Sequence, residues 1–283
     1  MPELPEVEVL VRHLAPLLRG RTVRGVEVHR DKVVRPTAPR ALAAQLAGAT
    51  FVSVTRRAKY LVFHLRRGRA QPIRVIGHLG MTGRMFLQPA RAALPRHAAV
   101  TLHLGRHRFV FEDTRYFGRF TLDTGVLAEL GPEPLENGFD AEAFHAALRR
   151  STQPIKVKLL DQTLVAGVGN IYASEALHVA RISPRKSACR LTAAEAMRLH
   201  GAIRQVLAEA VRFGSTVPLE FGASGRQDGL FYYGRAADAP DYYAERLRVY
   251  DRAGKPCGEC GAIIRRIVQA ARSTYFCPRC QRA

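Results

Sequence analysis

The 283-residue chain contains no apolar run approaching the roughly 18 residues of a membrane span, and its first residues lack the basic-then-apolar pattern of a secretory signal. A cytoplasmic protein is expected. Cysteine is scarce: five residues are too few for a disulfide scaffold, and four of them fall within the last 27 positions. Acids are also in deficit, with 24 Asp and Glu against 44 Lys and Arg, a formal charge of +20, and 38 of the basic residues are Arg. That imbalance points to a polyanionic partner, although heavy use of Arg and Ala also fits a GC-rich genome. No internal repeat or low-complexity tract is visible. What the chain does have is 47% apolar residues, enough to build about two domains with real cores.

Val7, Leu10, Val11, Leu14 and Leu18 recur at helical spacing behind Pro5, Glu6 and Glu8, which predicts a short amphipathic helix. From about Thr22 to Leu122 the period changes to two, as in Val23-Val26-Val28, Phe51–Val54, Tyr60–Leu65, Val100–Leu104 and Phe109–Phe111. Short alternating runs between Gly, Arg and Pro turns predict an antiparallel sandwich or barrel. Gly131-Pro132-Glu133-Pro134 then marks a boundary near residue 130. Helical periodicity returns in 140–149, 155–161, 171–180 and 193–213, interrupted by Gly167-Val168-Gly169-Asn170 and Ser183-Pro184. The fold class is α+β. Residues 1–130 are assigned to a sandwich with a leading helix, 131–217 to a helical domain, 218–245 to a loop or linker, and 246–283 to a basic cysteine unit.

Cys257, Cys260, Cys277 and Cys280 form C-x2-C-x16-C-x2-C. Two residues between thiolates let one tight turn aim both sulfurs at a single ion, and two such turns complete a tetrahedral zinc site. Four protein ligands leave no open position for water, so the zinc is expected to be structural. The alternative is a pair of disulfides, which a reducing compartment disfavours. Ile263, Ile264, Ile267, Val268, Tyr275 and Phe276 between the pairs suit a two-stranded ribbon, and Arg265, Arg266 and Arg272 could meet phosphate. Cys189 has no partner in sequence and is read as an inert thiol.

Removal of the initiator Met would leave Pro2 with a free secondary amine. A neutral amine is a nucleophile, and its attack on a sugar C1′ gives an iminium that acts as an electron sink, with Glu3 beside it as acid or base. Alone, a Met-Pro start is weak evidence, and so are Lys59 and Arg272 taken singly. Their combination is distinctive. Pro2–Glu8, Arg57-Ala58-Lys59-Tyr60-Leu61, His78–Gly83, Gly167–Glu175 and Arg272–Cys277 occur in order over nearly the whole chain. In these motifs the sequence closely resembles bacterial formamidopyrimidine-DNA glycosylase.

The resemblance implies an N-terminal β-sandwich, a helix-two-turn-helix domain and a C-terminal zinc-finger hairpin. It also implies base-excision repair of oxidised purines in duplex DNA, chiefly 8-oxoguanine and formamidopyrimidines, followed by cleavage at the abasic site. Pro2 would then be the Schiff-base nucleophile and Glu3 the proton donor, with Lys59 assisting β-elimination and Arg272 δ-elimination. His97, Arg115, Lys156 and Asn170 match DNA-contact positions, and Met81, Arg115 and Phe117 match the residues that fill the gap left by an extruded base. From the residues alone, Met81 and Phe117 would be read as core. The loop at 218–245 would close over the lesion. A monomer working on the nucleoid is expected.

Some positions depart from the family pattern. Thr114 stands where Pro is frequent, Tyr116 where a second Arg is usual, and Thr152 where some relatives carry a basic residue, with Arg149 and Arg150 close by. Leu4 separates the chain from a related endonuclease for oxidised pyrimidines, which begins Pro-Glu-Gly-Pro-Glu. An alternative of another class is a non-catalytic zinc-ribbon binder of damaged DNA. An RNA-binding role would rest on charge alone, without an aromatic platform motif.

Overall fold

The computed structural model describes residues 2–68, 72–213 and 247–282. They fall into two compact units. The first contains Pro2 and Glu6–Glu129, the second Glu3–Pro5 with 130–213 and 247–282. The proposed loop at 218–245 lies outside the described residues. Among the described residues no helix is long and apolar enough to cross a membrane.

Helix α1 (Leu4–Leu18), which belongs to the first unit from Glu6 onward, carries the predicted stripe, and Val7, Leu10, Val11, Leu14 and Leu18 are all buried. Strands β1 (Gly25–Val28), β6 (Ala98–His103), β7 (His107–Asp113) and β5 (Gly83–Pro89) form one antiparallel sheet in the order β1-β6-β7-β5. A second sheet has the order β2-β3-β4-β8, from β2 (Thr50–Arg57), β3 (Tyr60–Arg66), β4 (Ile73–His78) and β8 (Arg119–Thr121). Aromatic edges join the two sheets, as Phe63 on β3 meets Phe109 on β7 at 5.5 Å and Phe109 meets Phe120 on β8 at 5.9 Å between ring centroids. Such offset pairs add to the burial of the rings themselves.

Two features of this unit escape a period-two reading. Helix α2 (Pro39–Leu46) interrupts the strand region, with Pro39 opening its first turn and only Leu42 and Leu46 buried in its eight residues. Strands β5 and β6 are buried on both faces, because Leu17 of α1 packs against Phe86, Ala98 and Val110 on the side of the sheet that would otherwise be wet. Alternation disappears where both faces are covered.

The second unit is built from α3 (Ala141–Arg149), α4 (Ile155–Lys158), α5 (Asn170–Val179) and α6 (Ala193–Phe213), followed by the hairpin β9 (Arg265–Gln269) and β10 (Arg272–Phe276). Asp140 caps α3 by accepting the Ala143 N–H at 2.8 Å. The predicted 155–161 helix shortens to four residues and continues as turns. Helix α5 is buried from Ile171 to His178, including Ser174, Glu175 and His178. A helix buried over eight consecutive residues belongs in a core, and α5 packs within this one.

Candidate functional site

The tripeptide Glu3–Pro5 groups with the second unit because of what its backbone and carboxylate bind. Leu4 N–H donates to the Gly167 carbonyl at 3.1 Å. Glu3, buried at 2% exposure, accepts N–H groups from Gly169 (2.7 Å), Ile171 (2.9 Å) and Tyr172 (3.4 Å). Those donors lie at the N-terminus of α5, where unpaired N–H groups and the helix dipole suit a negative group. Glycine is required here for closeness. A Cβ on Gly169 would stand 2.3 Å from the Glu3 carboxyl carbon, and Gly167, at φ +87, would drive one to 2.7 Å from Leu4. The Gly-Val-Gly-Asn turn thus seats a side chain of the protein itself.

Asn170, the first residue of α5, ties two predicted DNA-contact positions and the hairpin together. The fully buried Lys156 donates its ammonium to Asn170 Oδ1, and Asn170 Nδ2 donates to the Ser273 carbonyl at 2.9 Å. Ser273 follows Arg272, the exposed first residue of β10. Burial, then the Arg272 charge, lowers the Lys156 pKa to about 8 against a smaller opposing effect of Glu3. One lysine therefore feels both predicted chemical residues of this unit.

In the first unit, Pro2 is buried ahead of α1. Lys59, 6% exposed, completes the two-residue turn between β2 and β3, in which Ala58 adopts φ +52. It stands beside His78, whose ring packs on Tyr60 at 4.8 Å. Burial, then the Lys59 and Arg119 charges, lowers the His78 pKa to about 4. His78 Nδ1 accepts the Gly80 N–H at 3.1 Å, so a neutral ring fixes the start of the Met81 loop.

Met81, Arg115 and Phe117 form one exposed cluster. Met81 and Phe117 are 46% and 47% exposed, which excludes the core role their residue types suggest. Arg115 Nη1 reaches Met81 Sδ at 3.4 Å, and its guanidinium lies 4.8 Å from the Phe117 ring centroid. Buried Asp113 braces both loops, accepting from the Thr82 hydroxyl (2.6 Å), Arg115 N–H (3.1 Å) and Gly118 N–H (2.8 Å). Gly80 allows the two loops to meet, since its Cβ would fall 2.7 Å from Gly118 N. Tyr116 stacks edge-on to His97, whose Nδ1 lies 3.4 Å from the Tyr116 hydroxyl, and carries the Arg30 guanidinium 5.2 Å from its ring centroid.

The four cysteines of the C-terminal pairs have their sulfurs within 4.8 Å of one another, with Cys257–Cys280 at 3.9 Å and Cys260–Cys277 at 3.4 Å. These separations are too long for disulfides. They fit a tetrahedron, in which sulfurs about 2.3 Å from zinc stand about 3.8 Å apart. Burial, followed by the neighbouring sulfurs, holds the Cys280 thiol well above the usual thiol range, and burial likewise raises Cys277. A divalent cation supplies the charge that lets such thiols ionise. Zinc would be held by all four, as a structural ion.

Comparison with known proteins agrees with this geometry. The formamidopyrimidine-DNA glycosylase N-terminal domain model matches residues 1–120, the H2TH domain model 130–219, and the zinc finger found in FPG and IleRS 254–283. A formamidopyrimidine-DNA glycosylase of Thermus thermophilus is 43% identical, over 99% of this chain and 98% of the relative. The chain belongs to the formamidopyrimidine-DNA glycosylase family. Among solved structures of such glycosylases, a Lactococcus lactis FPG mutant in complex with a Fapy-dG containing DNA superposes with a TM-score of 0.88 at 34% identity, covering 100% of both chains. MutM in complex with carbocyclic 8-oxo-G containing DNA gives a TM-score of 0.85 at 34% identity, again over 100% of both chains. Like the family model, this glycosylase carries a zinc-finger module, with Cys257, Cys260, Cys277 and Cys280 as its metal ligands.

Three buried groups of the glycosylase have no counterpart in the sequence reading. Asp113 braces the exposed cluster, Glu175 accepts the Arg248, Val249 and Tyr250 N–H groups at 2.7–2.9 Å, and His178 lies against Cys257. The one cue in the residues was an acid inside an otherwise apolar helix, as at Glu175.

Proposed function

We propose that this glycosylase removes oxidised purines from duplex DNA, 8-oxoguanine and formamidopyrimidines, and then cleaves the strand at the resulting abasic site. The observation that carries the reading is the seat of Glu3: an acid fixed by three N–H donors one peptide bond from the Pro2 nitrogen. With Met1 removed, the Pro2 amine attacks C1′ as the base departs with the bonding pair and takes a proton from solvent; the Glu3 carboxylate receives the amine proton and donates it to O4′, so that the C1′–O4′ bond opens and the iminium forms. The iminium acidifies C2′. Lys59 assists loss of the 3′ phosphate by β-elimination, Arg272 assists δ-elimination at the 5′ side, and hydrolysis frees the amine.

His97, Arg115, Lys156 and Asn170 contact the DNA, and Met81, Arg115 and Phe117 fill the space that the extruded base vacates. An apolar wedge restores lost stacking, and a guanidinium can hydrogen-bond the widowed base. The exposure of all three in one cluster supports this role. The excess of 20 positive charges suits a duplex, and such a substrate places the work in the bacterial cytoplasm, on the nucleoid.

Borohydride trapping tests the chemistry. The native chain should give a covalent adduct with an 8-oxoguanine duplex, Pro2→Gly none, and Glu3→Gln should bind the duplex while losing base removal. No adduct with the native chain rejects the reading. Excision of thymine glycol in preference to 8-oxoguanine would shift the substrate to oxidised pyrimidines.

A further inference from the structure

The buried imidazole of His178 is a group that the repair chemistry does not use. It sits in the last turn of α5 at 3% exposure, and its Nε2 lies 3.5 Å from Cys257 Sγ. The other ring nitrogen, Nδ1, is buried without a hydrogen-bond partner among the described residues. Burying an imidazole with one nitrogen unpaired is costly, and an apolar ring would fill the same volume without that cost. The contact with sulfur is the ring's compensating interaction.

We propose that His178 donates its Nε2–H to the Cys257 sulfur of the zinc centre and thereby slows loss of the metal. A metal-ligating cysteine is a thiolate with no proton to give, so the hydrogen between the two atoms must belong to the ring. That choice fixes the tautomer and leaves Nδ1 as a bare acceptor. Four thiolates around a divalent ion carry two net negative charges, and N–H donors directed at the sulfurs offset them. The backbone supplies one such donor, from Cys280 N to Cys277 Sγ at 3.4 Å, and His178 supplies another from outside the module.

The position of Cys257 gives this donor particular weight. Cys257 is 3% exposed, whereas Cys280 borders a polar cavity of about 170 Å³ that His178, Arg181, Gln205, Arg248 and Glu259 also line. The buried Cys257 sulfur is held from behind by α5, while Cys260 and Cys280 are partly exposed. Gln281 strengthens the same attachment, accepting the Cys277 N–H at 2.9 Å and donating to the Ile182 carbonyl at 3.0 Å. His178 is thus a positioning residue for the zinc module, acting on a ligand and not on DNA.

The test compares His178→Phe, which keeps a ring, with His178→Gln, which keeps an N–H donor. Zinc release to excess chelator, followed with a metal-sensitive dye and no DNA present, should be about 10-fold faster for the Phe variant, as removal of such outer partners typically weakens metal sites 10–100-fold. The Gln variant should stay within about threefold of the native chain. In cobalt-substituted protein the sulfur-to-metal charge-transfer band should move to lower energy in the Phe variant and stay in place in the Gln variant. Release from the Phe variant at the native rate, or equally fast release from both variants, overturns the proposal. Should the Phe variant not fold, the native chain loaded with cadmium-113 decides: a scalar coupling between the metal and the His178 Nε2 proton supports the bond, and its absence rejects it.

Discussion

Asp113 in the first unit and Glu175 in the second are both buried acids that accept main-chain N–H groups, yet they hold opposite kinds of structure. Asp113 spans two loops whose side chains, Met81, Arg115 and Phe117, face outward. Glu175 projects from the middle of α5 and gathers three consecutive N–H groups of residues 248–250, the segment that leads into the cysteine module. The same hydrogen-bonding chemistry serves display in one unit and splicing in the other. Buried acids of this kind acquire their function from the segment they fix.

The sharpest way to break the comparison is to remove each carboxylate. Glu175→Ala leaves three N–H groups of the splice unpaired, with Val249 fully buried, so the loss of stability should be roughly 3 kcal/mol or more. Urea denaturation of the zinc-loaded chain checks this, and zinc should be lost at lower urea than in the native chain. Asp113→Ala should cost less, about 1–2 kcal/mol, because water can reach the partly exposed Arg115 and Thr82 groups. Its effect should appear instead in binding: affinity for a lesion duplex should fall about tenfold, the equivalent of about 1.4 kcal/mol. Equal stability losses, or unchanged duplex binding by Asp113→Ala, would erase the distinction between display and splicing.

A smaller effect separates the two units by pH. Lys156, with its pKa lowered to about 8, loses its charge as pH rises through that value, whereas in the unfolded chain it stays charged to about 10.5. The folded state therefore binds fewer protons than the unfolded state in that window, and folding stability should rise between pH 8 and 10.5. If Lys156 meets the DNA as proposed, affinity should fall over the lower part of the same range, as its charge is lost. Lys156→Arg keeps its charge and should flatten the binding profile. Titration of duplex affinity from pH 7 to 9 in both chains measures it, and identical slopes would remove Lys156 from the contact.

Much of this architecture was legible in the residues for stated reasons. The α1 stripe and the C-x2-C pairs obey strong local rules, and both are found where spacing placed them. Strands β5 and β6 lost their alternation because α1 covers one face and the opposite sheet the other. Helix α2 is too short to show a period. The proposed residues Pro2, Glu3, Lys59 and Arg272 came from linear motifs, while the N–H seat of Glu3 did not, since its donors lie more than 160 residues away in sequence. Exposure of Met81 and Phe117 ran against their residue types, and Asp113, Glu175 and His178 act through contacts that no spacing encodes.

Helix α5 holds Glu3 at its first turn, residues 248–250 at its centre and Cys257 at its last turn. From Asn170 to His178 a helix advances only about 12 Å. Its interior is fully buried, so it behaves as a strut of fixed length between an acid and a metal centre that share no atom. Damage at one end should therefore be legible at the other: oxidation of the zinc thiolates would register as a displaced Glu3. An enzyme that repairs oxidised bases carries, in ten residues, one rigid element between its own oxidisable centre and the acid proposed as its proton donor.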